Sequence, residues 1–365
     1  MSRTLTLYVL RLYLTYFFAM LAIVLAVFIV ADFSDRVKLF MAHTLLDVGQ
    51  MYWNKSLVAL HQLGPPSMML AAGAAIATLS KRGEITAMRA LTFGPSAIYL
   101  PIGGSALIAA GLLLAFDETV VTHAGARVDD LAVTRFNSGW NAWYTYYRPT
   151  QWFRRADEVL HVGGGDATTG FGDVSIFKLS PDFRLISRID AAEMKWVEGN
   201  TWELSGAVIR AFPVGADITL DRFESKRIEL GFPRKVLVVQ AGRPEYLPRE
   251  ALLEQIRARR EVGQPVEKHL LALHNRYAYP LTGLAATLLA IGLGLRPGRK
   301  GQLTSALVEG FAIAVAMWAM MVVGKGLALA GHLPIPAAAW IPCGMLMAIA
   351  VGLWLKRQGL IGQGG

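Results

Sequence analysis

Apolar residues in this chain are gathered into long runs separated by short polar breaks. A helix needs roughly 20 apolar residues to cross a bilayer core, and six stretches meet that length. They are about Tyr8–Ala31, Leu57–Leu79, Ser96–Phe116, Tyr277–Leu295, Leu303–Ala330 and Pro334–Leu355. The second opens through Pro65 and Pro66 and is rich in Ala and Gly; the fourth carries Pro280 near its start. Proline is tolerated in such helices because neighbouring helices satisfy the freed backbone groups. The first run is too long for a signal-peptide core and lacks a small-residue cleavage site, so it reads as a span and not as a cleaved leader.

Between the third and fourth runs the pattern changes. Residues 118–274 are rich in β-branched and aromatic residues broken by turn signals, which predicts strands. The candidates are Val174–Leu179, Leu185–Val197, Thr201–Phe212 and Ile218–Leu230, with turns at Ser180-Pro181-Asp182 and Glu198-Gly199-Asn200. Alternation is imperfect around Trp202, Leu204, Gly206 and Val208, and an open twisted sandwich fits better than a closed barrel. Arg249–Leu273 returns to helical composition. The expected organisation is therefore residues 1–117 with three spans, 118–274 as an inserted β domain, and 275–365 with three more spans.

Composition agrees. The chain is 54% hydrophobic and only 17% charged, with mean hydropathy +0.40, against about 25% charged in an ordinary soluble domain. The net charge is +9, but the inserted segment holds equal numbers of acidic and basic residues. The whole excess lies beside the apolar runs, as membrane topology requires, and no basic patch is left for nucleic acid. Arg3, Arg11, Lys81, Arg82, Arg89, Arg296, Arg299, Lys300, Lys356 and Arg357 fall on one side if the spans alternate. That side is expected to be cytoplasmic, with both termini on it and the β domain outside.

Catalytic patterns are missing. Gly163-Gly164-Gly165-Asp166 has no Gly-Lys-Ser/Thr ending, so it is no P-loop and reads as a loop between strands. The histidines show no paired metal spacing, and the single Cys343 lies in an apolar run. No enzyme chemistry, cofactor or metal is indicated.

Three places invite a function. The stretch Ser80–Pro95 places Ile85, Met88, Leu91 and Thr92 at helical spacing and ends at Gly94-Pro95. A short helix across the membrane face, with Glu84 among Arg82 and Arg89, suits docking of a partner; an interfacial helix that only anchors the loop is the plainer alternative. The fifth run contains Glu309 and Lys325, sixteen residues and so roughly 24 Å apart, on different faces. A charge within a span is a functional hypothesis by default, and Lys325 could meet an anionic headgroup or simply snorkel to the interface. Arg36 and Lys38, just beyond the first run, could serve the same headgroup or lie in a solvated loop.

These residues resemble the LptF/LptG permease family of the lipopolysaccharide-export ABC transporter. The likeness rests on Leu79–Ala90, on His274-Asn275-Arg276-Tyr277-Ala278-Tyr279-Pro280 leading to Ile291-Gly292-Leu293-Gly294-Leu295-Arg296-Pro297, and on Leu333–Pro342. The layout of three spans, β insert and three spans extends it over essentially the whole chain. The first span's end, Val30 to Lys38, looks more like LptG. The resemblance implies an α-helical membrane protein with six transmembrane helices and an inserted periplasmic β-jellyroll-like domain, in the bacterial inner membrane. It implies a heterodimer with an LptF-like paralogous permease on an LptB-like ATPase dimer, which binds the ATP. Arg82, Glu84, Met88 and Arg89 would belong to the coupling helix. Arg36, Lys38 and Lys325 would meet lipopolysaccharide in a cavity lined by spans one and five. LptC-like and LptA-like jellyroll proteins would take the lipid onward. Asp32 stands where some relatives carry a basic residue, and Cys343 where relatives often have Asn. The alternative in another class is a subunit that transmits ATPase motion to a periplasmic partner without moving lipid.

Overall fold

The computed structural model describes residues 3–136, 151–166, 170–213, 215, 217–231, 237, 243–261, 264–296 and 303–357. Contacts divide the chain into two compact units, Asp129–His269 and the remainder on either side of it.

The larger unit is helical. Its elements are α1 (Arg3–Phe40), α2 (Leu45–Lys81), α3 (Glu84–Ala90), α4 (Ser96–Phe116) and a π-helical turn over Asp117–Val121. That turn leads straight into α5 (Thr122–Thr134), whose later part belongs to the other unit. After the insert come α7 (Glu267–Gly294), α8 (Leu303–Leu329) and α9 (Ile335–Arg357). Among the described residues six helices are long and apolar enough to cross a membrane, and they carry the six runs read from the sequence. At 1.5 Å per residue the 38-residue α1 extends about 57 Å, well past a bilayer core of roughly 30 Å. Thr44 caps α2 by accepting a hydrogen bond from the Asp47 N–H at 3.2 Å, satisfying one of the orphan donors of a helix start.

Helix α2 is the centre of this unit. Its alanines, Ala71, Ala72 and Ala75, share a core with Ala285, Ala286 and Ala290 of α7. Lipid tails are as apolar as leucine, so close backbone approach between small residues replaces the hydrophobic drive. The approach is tight: a Cβ on Gly283 would lie 2.7 Å from the Pro65 Cβ, and one on Gly294 would lie 2.7 Å from Ile76. Pro65 and Pro66 sit inside α2 without ending it.

By contrast, α1 and α8 are peripheral. Within their most apolar stretches 0% and 17% of residues are buried, against 67% for α2 and α7. On α8 the exposed residues Val308, Phe311, Val315, Trp318 and Val322 recur every three or four positions, and Leu329 follows seven further on. Lys325 falls on the same stripe and is exposed, so an exposed apolar face carries one cation.

The second unit holds a six-stranded antiparallel sheet whose spatial order follows the sequence. The strands are β1 (Gln151–Arg155), β2 (Glu158–Asp166), β3 (Gly170–Leu179), β4 (Leu185–Glu198), β5 (Thr201–Ala211) and β6 (Thr219–Glu229). One face is buried, through Phe153, Leu160, Ile176, Met194, Trp202 and Leu204, and Ala258 of α6 (Arg249–Glu261) packs against it. The insert is an antiparallel β region as expected, and among the described residues it is one open sheet with a helix on its face, without the second sheet of a sandwich. The four expected strands and both turns are present, but β1 and β2 add to them.

The glycine tract is also corrected. Gly164, Gly165 and Asp166 pair with Gly172, Phe171 and Gly170 in the β2–β3 ladder, so the tract is strand, not loop. The pairing explains the broken alternation as well. The ladders are interrupted between flanking pairs at Gly163 and Asp173, at Asp173 and Ala192, and at Ala192 and Gly206. Asp173 and Gly206 have φ of 50° and 64°, and a Cβ on Gly163 would be 2.7 Å from that of Asp173. Along β5 the buried positions change from Trp202 and Leu204 to Ala207 across this line. A left-handed residue turns the strand locally, so inward parity slips by one. The interruption follows a row of small or left-handed residues, and only glycine adopts a left-handed conformation without cost.

Candidate functional site

The link from α2 to α4 is folded by local backbone chemistry. Gly83, at φ 72°, reverses the chain after α2, and its N–H donates to the Ser80 carbonyl at 3.0 Å. Helix α3 follows for seven residues. It ends earlier than Gly94-Pro95 suggests, because Thr92 already takes a left-handed conformation at φ 63°. Ile85 and Met88 are buried in the helical core. Leu91, expected on the same face, is 68% exposed. The outward surface of the link is therefore Thr86, Ala87, Arg89, Ala90 and Leu91, with Lys81 and Arg82 beside them.

Two side chains tie this link to other helices. The Tyr8 hydroxyl of α1 donates to Glu84 Oε1 at 2.9 Å, and Arg82 Nη1 donates to the Tyr8 oxygen at 3.2 Å. Arg82 also lies 3.8 Å from Glu84. Arg89 Nη2 donates to the Leu295 carbonyl at 3.2 Å, just past the last turn of α7. That carbonyl is one of the orphan acceptors a helix end leaves. Of the four residues singled out on this link, Glu84 and Arg82 thus share one cluster with Tyr8. Met88 faces inward, and Arg89 reaches a different helix. Behind the link is a cavity of about 820 Å³ walled by Met88, Phe93, Ile98, Leu295 and Leu353.

A second charged cluster joins the far end of α1 to the start of α2. Asp32 accepts from Lys55 Nζ at 2.6 Å and from the Tyr52 hydroxyl at 2.9 Å, and Arg36 approaches it to 3.5 Å. Tyr8 and Arg36 are 28 positions apart on one helix, so roughly 42 Å. Lys38 lies within α1, and its side chain falls outside the described residues. Lys325 stands on α8, exposed, and Glu309 of that helix lines a small cleft with Met69, Gly73 and Ala306. The described contacts do not bring Arg36 and Lys325 together. Lys55 and Tyr52 escaped the sequence reading, although their spacing of three places them on one helix face.

A third cluster went unread entirely. Arg276 Nε lies 2.6 Å from Asp117 Oδ2 and its Nη1 lies 2.9 Å from Glu118, while His61 Nε2 is 3.6 Å from Asp117 Oδ1. His61, Asp117 and Arg276 are all buried. The signal was available, since His61 interrupts an apolar run and ionisable groups within spans are rarely idle. Among the described residues no group of three or more His, Cys, Asp or Glu is placed to hold a metal.

The family model for the lipopolysaccharide export system permease LptF/LptG matches residues 7–357. The chain belongs to the LptF/LptG family. The match runs through both helical triplets and the β insert between them, so it concerns the architecture as a whole. No curated protein matches the chain significantly. As an LptF/LptG protein with six transmembrane helices, it is a multi-pass inner-membrane permease subunit of the lipopolysaccharide export system. Its three charged clusters are accordingly set among the helices of a transport subunit.

Proposed function

We propose that this permease extracts lipopolysaccharide from the outer leaflet of the inner membrane under the power of a separate ATPase, and that α3 is where the ATPase takes hold. The observation that carries the reading is the tether of α3 to both α1 and α7, through Glu84–Tyr8 and Arg89–Leu295. A push on the exposed surface of α3 would reach a peripheral helix and a central one together. In this reading both termini are cytoplasmic and the β domain is periplasmic, as the positive short loops favour.

The exposed faces of α1 and α8 would meet the paralogous permease and the lipid. Arg36, Lys38 and Lys325 would then neutralise headgroup phosphates, with Lys55 beside them. Asp32 restrains Arg36 and Lys55 at close range and so would keep phosphate contacts weak enough to release. Each buried CH₂ is worth roughly 0.8 kcal/mol, so pulling several acyl chains from a bilayer needs an energy source. Nucleotide must therefore bind two states of the complex with different affinity. The sheet, buried on one face, would pass the lipid to jellyroll partners such as LptC-like and LptA-like proteins.

The test is Glu84→Lys in the native membrane. The variant is expected to insert normally and to lose the ATPase on purification, because a cation replaces the acceptor that Tyr8 and Arg82 share. Recovery of the ATPase at wild-type level would count against α3 as its docking element. An ATPase without lipopolysaccharide, in wild type, would instead support a subunit that transmits motion alone.

A further inference from the structure

The cavity behind α3 has a composition that docking of an ATPase does not call for. Its wall is apolar, through Met88, Phe93, Ile98 and Leu353, and its remaining side chains include Arg89, Arg296 and Lys356. Among the described residues no carboxylate lines it. Arg89 already caps the Leu295 carbonyl, which leaves Arg296 and Lys356, both exposed, without that duty. The 21-residue α4 opens beside the cavity at Pro95–Ser96, adding the partial positive charge of a helix N-terminus. An apolar recess rimmed by cations between helix ends matches a two-part ligand, with acyl chains against the wall and an anionic head at the rim.

We propose that this cavity is a binding site for an anionic phospholipid of the cytoplasmic leaflet, its phosphate held by Arg296 and Lys356. The proposal rests on the topology just given, in which this end of the bundle is cytoplasmic. It is separate from the export substrate, whose contacts belong to the other end of α1. A lipid seated here would fill the space behind α3 and stiffen its tie to α7, so the membrane's anionic lipid content would tune how firmly the link is held.

The test uses the full chain purified without its ATPase, so it does not depend on whether the ATPase docks on α3. Native mass spectrometry would follow retention of palmitoyl-oleoyl phosphatidylglycerol against phosphatidylcholine with the same chains. A basic side chain near a phosphate contributes about fivefold in affinity. Arg296→Ala/Lys356→Ala is therefore expected to lower the preference for phosphatidylglycerol roughly twenty-five-fold. Arg3→Ala/Lys81→Ala, with the same charge change at the same end but outside the cavity, is expected to keep it. Lys356→Ala alone, at an exposed last turn, gives the same direction should the double variant insert poorly. Unchanged preference in the cavity variants would overturn the site. An equal fall in both double variants would also overturn it, by showing a diffuse basic surface.

Discussion

At the residue scale, the functional reading depends on a few hydrogen bonds between polar groups near the ends of the bundle. Tyr8 is the least obvious of them, since nothing in an apolar first span marks a tyrosine as a tether. Tyr8→Phe removes one hydroxyl and keeps the ring. It is expected to leave the ATPase bound but to reduce lipopolysaccharide release per ATP hydrolysed several-fold, a split measurable in reconstituted vesicles. Equal release per ATP in the variant would show that α1 is not driven through this contact. Asp190 tests the β domain in the same way. Burial acts to raise its carboxyl, but hydrogen bonds from Ser175, Arg188 and Arg210 outweigh burial and hold it below the ordinary carboxylate value. A depressed folded pKa contributes stability that is present above the unfolded value, about 3.9, and is lost as pH falls through the folded one. Asp190→Asn is expected to cost about 1–3 kcal/mol near neutral pH. It should also flatten the acid limb of urea unfolding followed by tryptophan fluorescence; an unaltered limb would contradict the assignment.

At the element scale, the sequence made some features plain and hid others for identifiable reasons. Spans are legible because length and hydropathy suffice to define them. The buried face of α3 was legible through Ile85 and Met88, but not its end, because Thr92 is not a residue that announces a left-handed turn. Strands β3 to β6 carry β-branched and aromatic runs, whereas β2 finishes in three glycines and an aspartate, which read as loop until their pairing with β3 is seen. The ladder interruption at Gly163, Asp173, Ala192 and Gly206 depends on register between strands, and no single strand reveals it. The His61–Asp117–Arg276 cluster likewise joins residues far apart in sequence. Close approach of α2 and α7 makes a sharp prediction. Gly283→Ala sets a Cβ 2.7–2.8 Å from Pro65, and overpacking of that kind costs about 1–3 kcal/mol. Gly104→Ala and Gly111→Ala on α4 meet nothing within 4 Å and are expected to be nearly silent. Thermal unfolding in detergent separates the cases, and equal midpoints for all three would refute the tight α2–α7 seam.

At the scale of the whole molecule, the two units are built on different physics and suit different tasks. The helical unit is held by small residues packed around α2 and keeps two apolar helices, α1 and α8, on its outside. Those faces are costly only in water; in a membrane they are free for lipid or another permease. The β unit buries one face of its sheet and has its own core. Family membership fixes the system in which this chain works, and the charged clusters indicate how force and lipid would pass through it. The central claim is that this one chain joins an ATPase to lipopolysaccharide. The most direct test is mild-detergent purification from its native membrane, with mass spectrometry of the proteins and lipids that accompany it. The account predicts an ABC ATPase, a second six-span permease and lipopolysaccharide together, with the lipid reduced by Lys325→Ala and the ATPase retained. Recovery of the chain with neither ATPase nor lipopolysaccharide would contradict it.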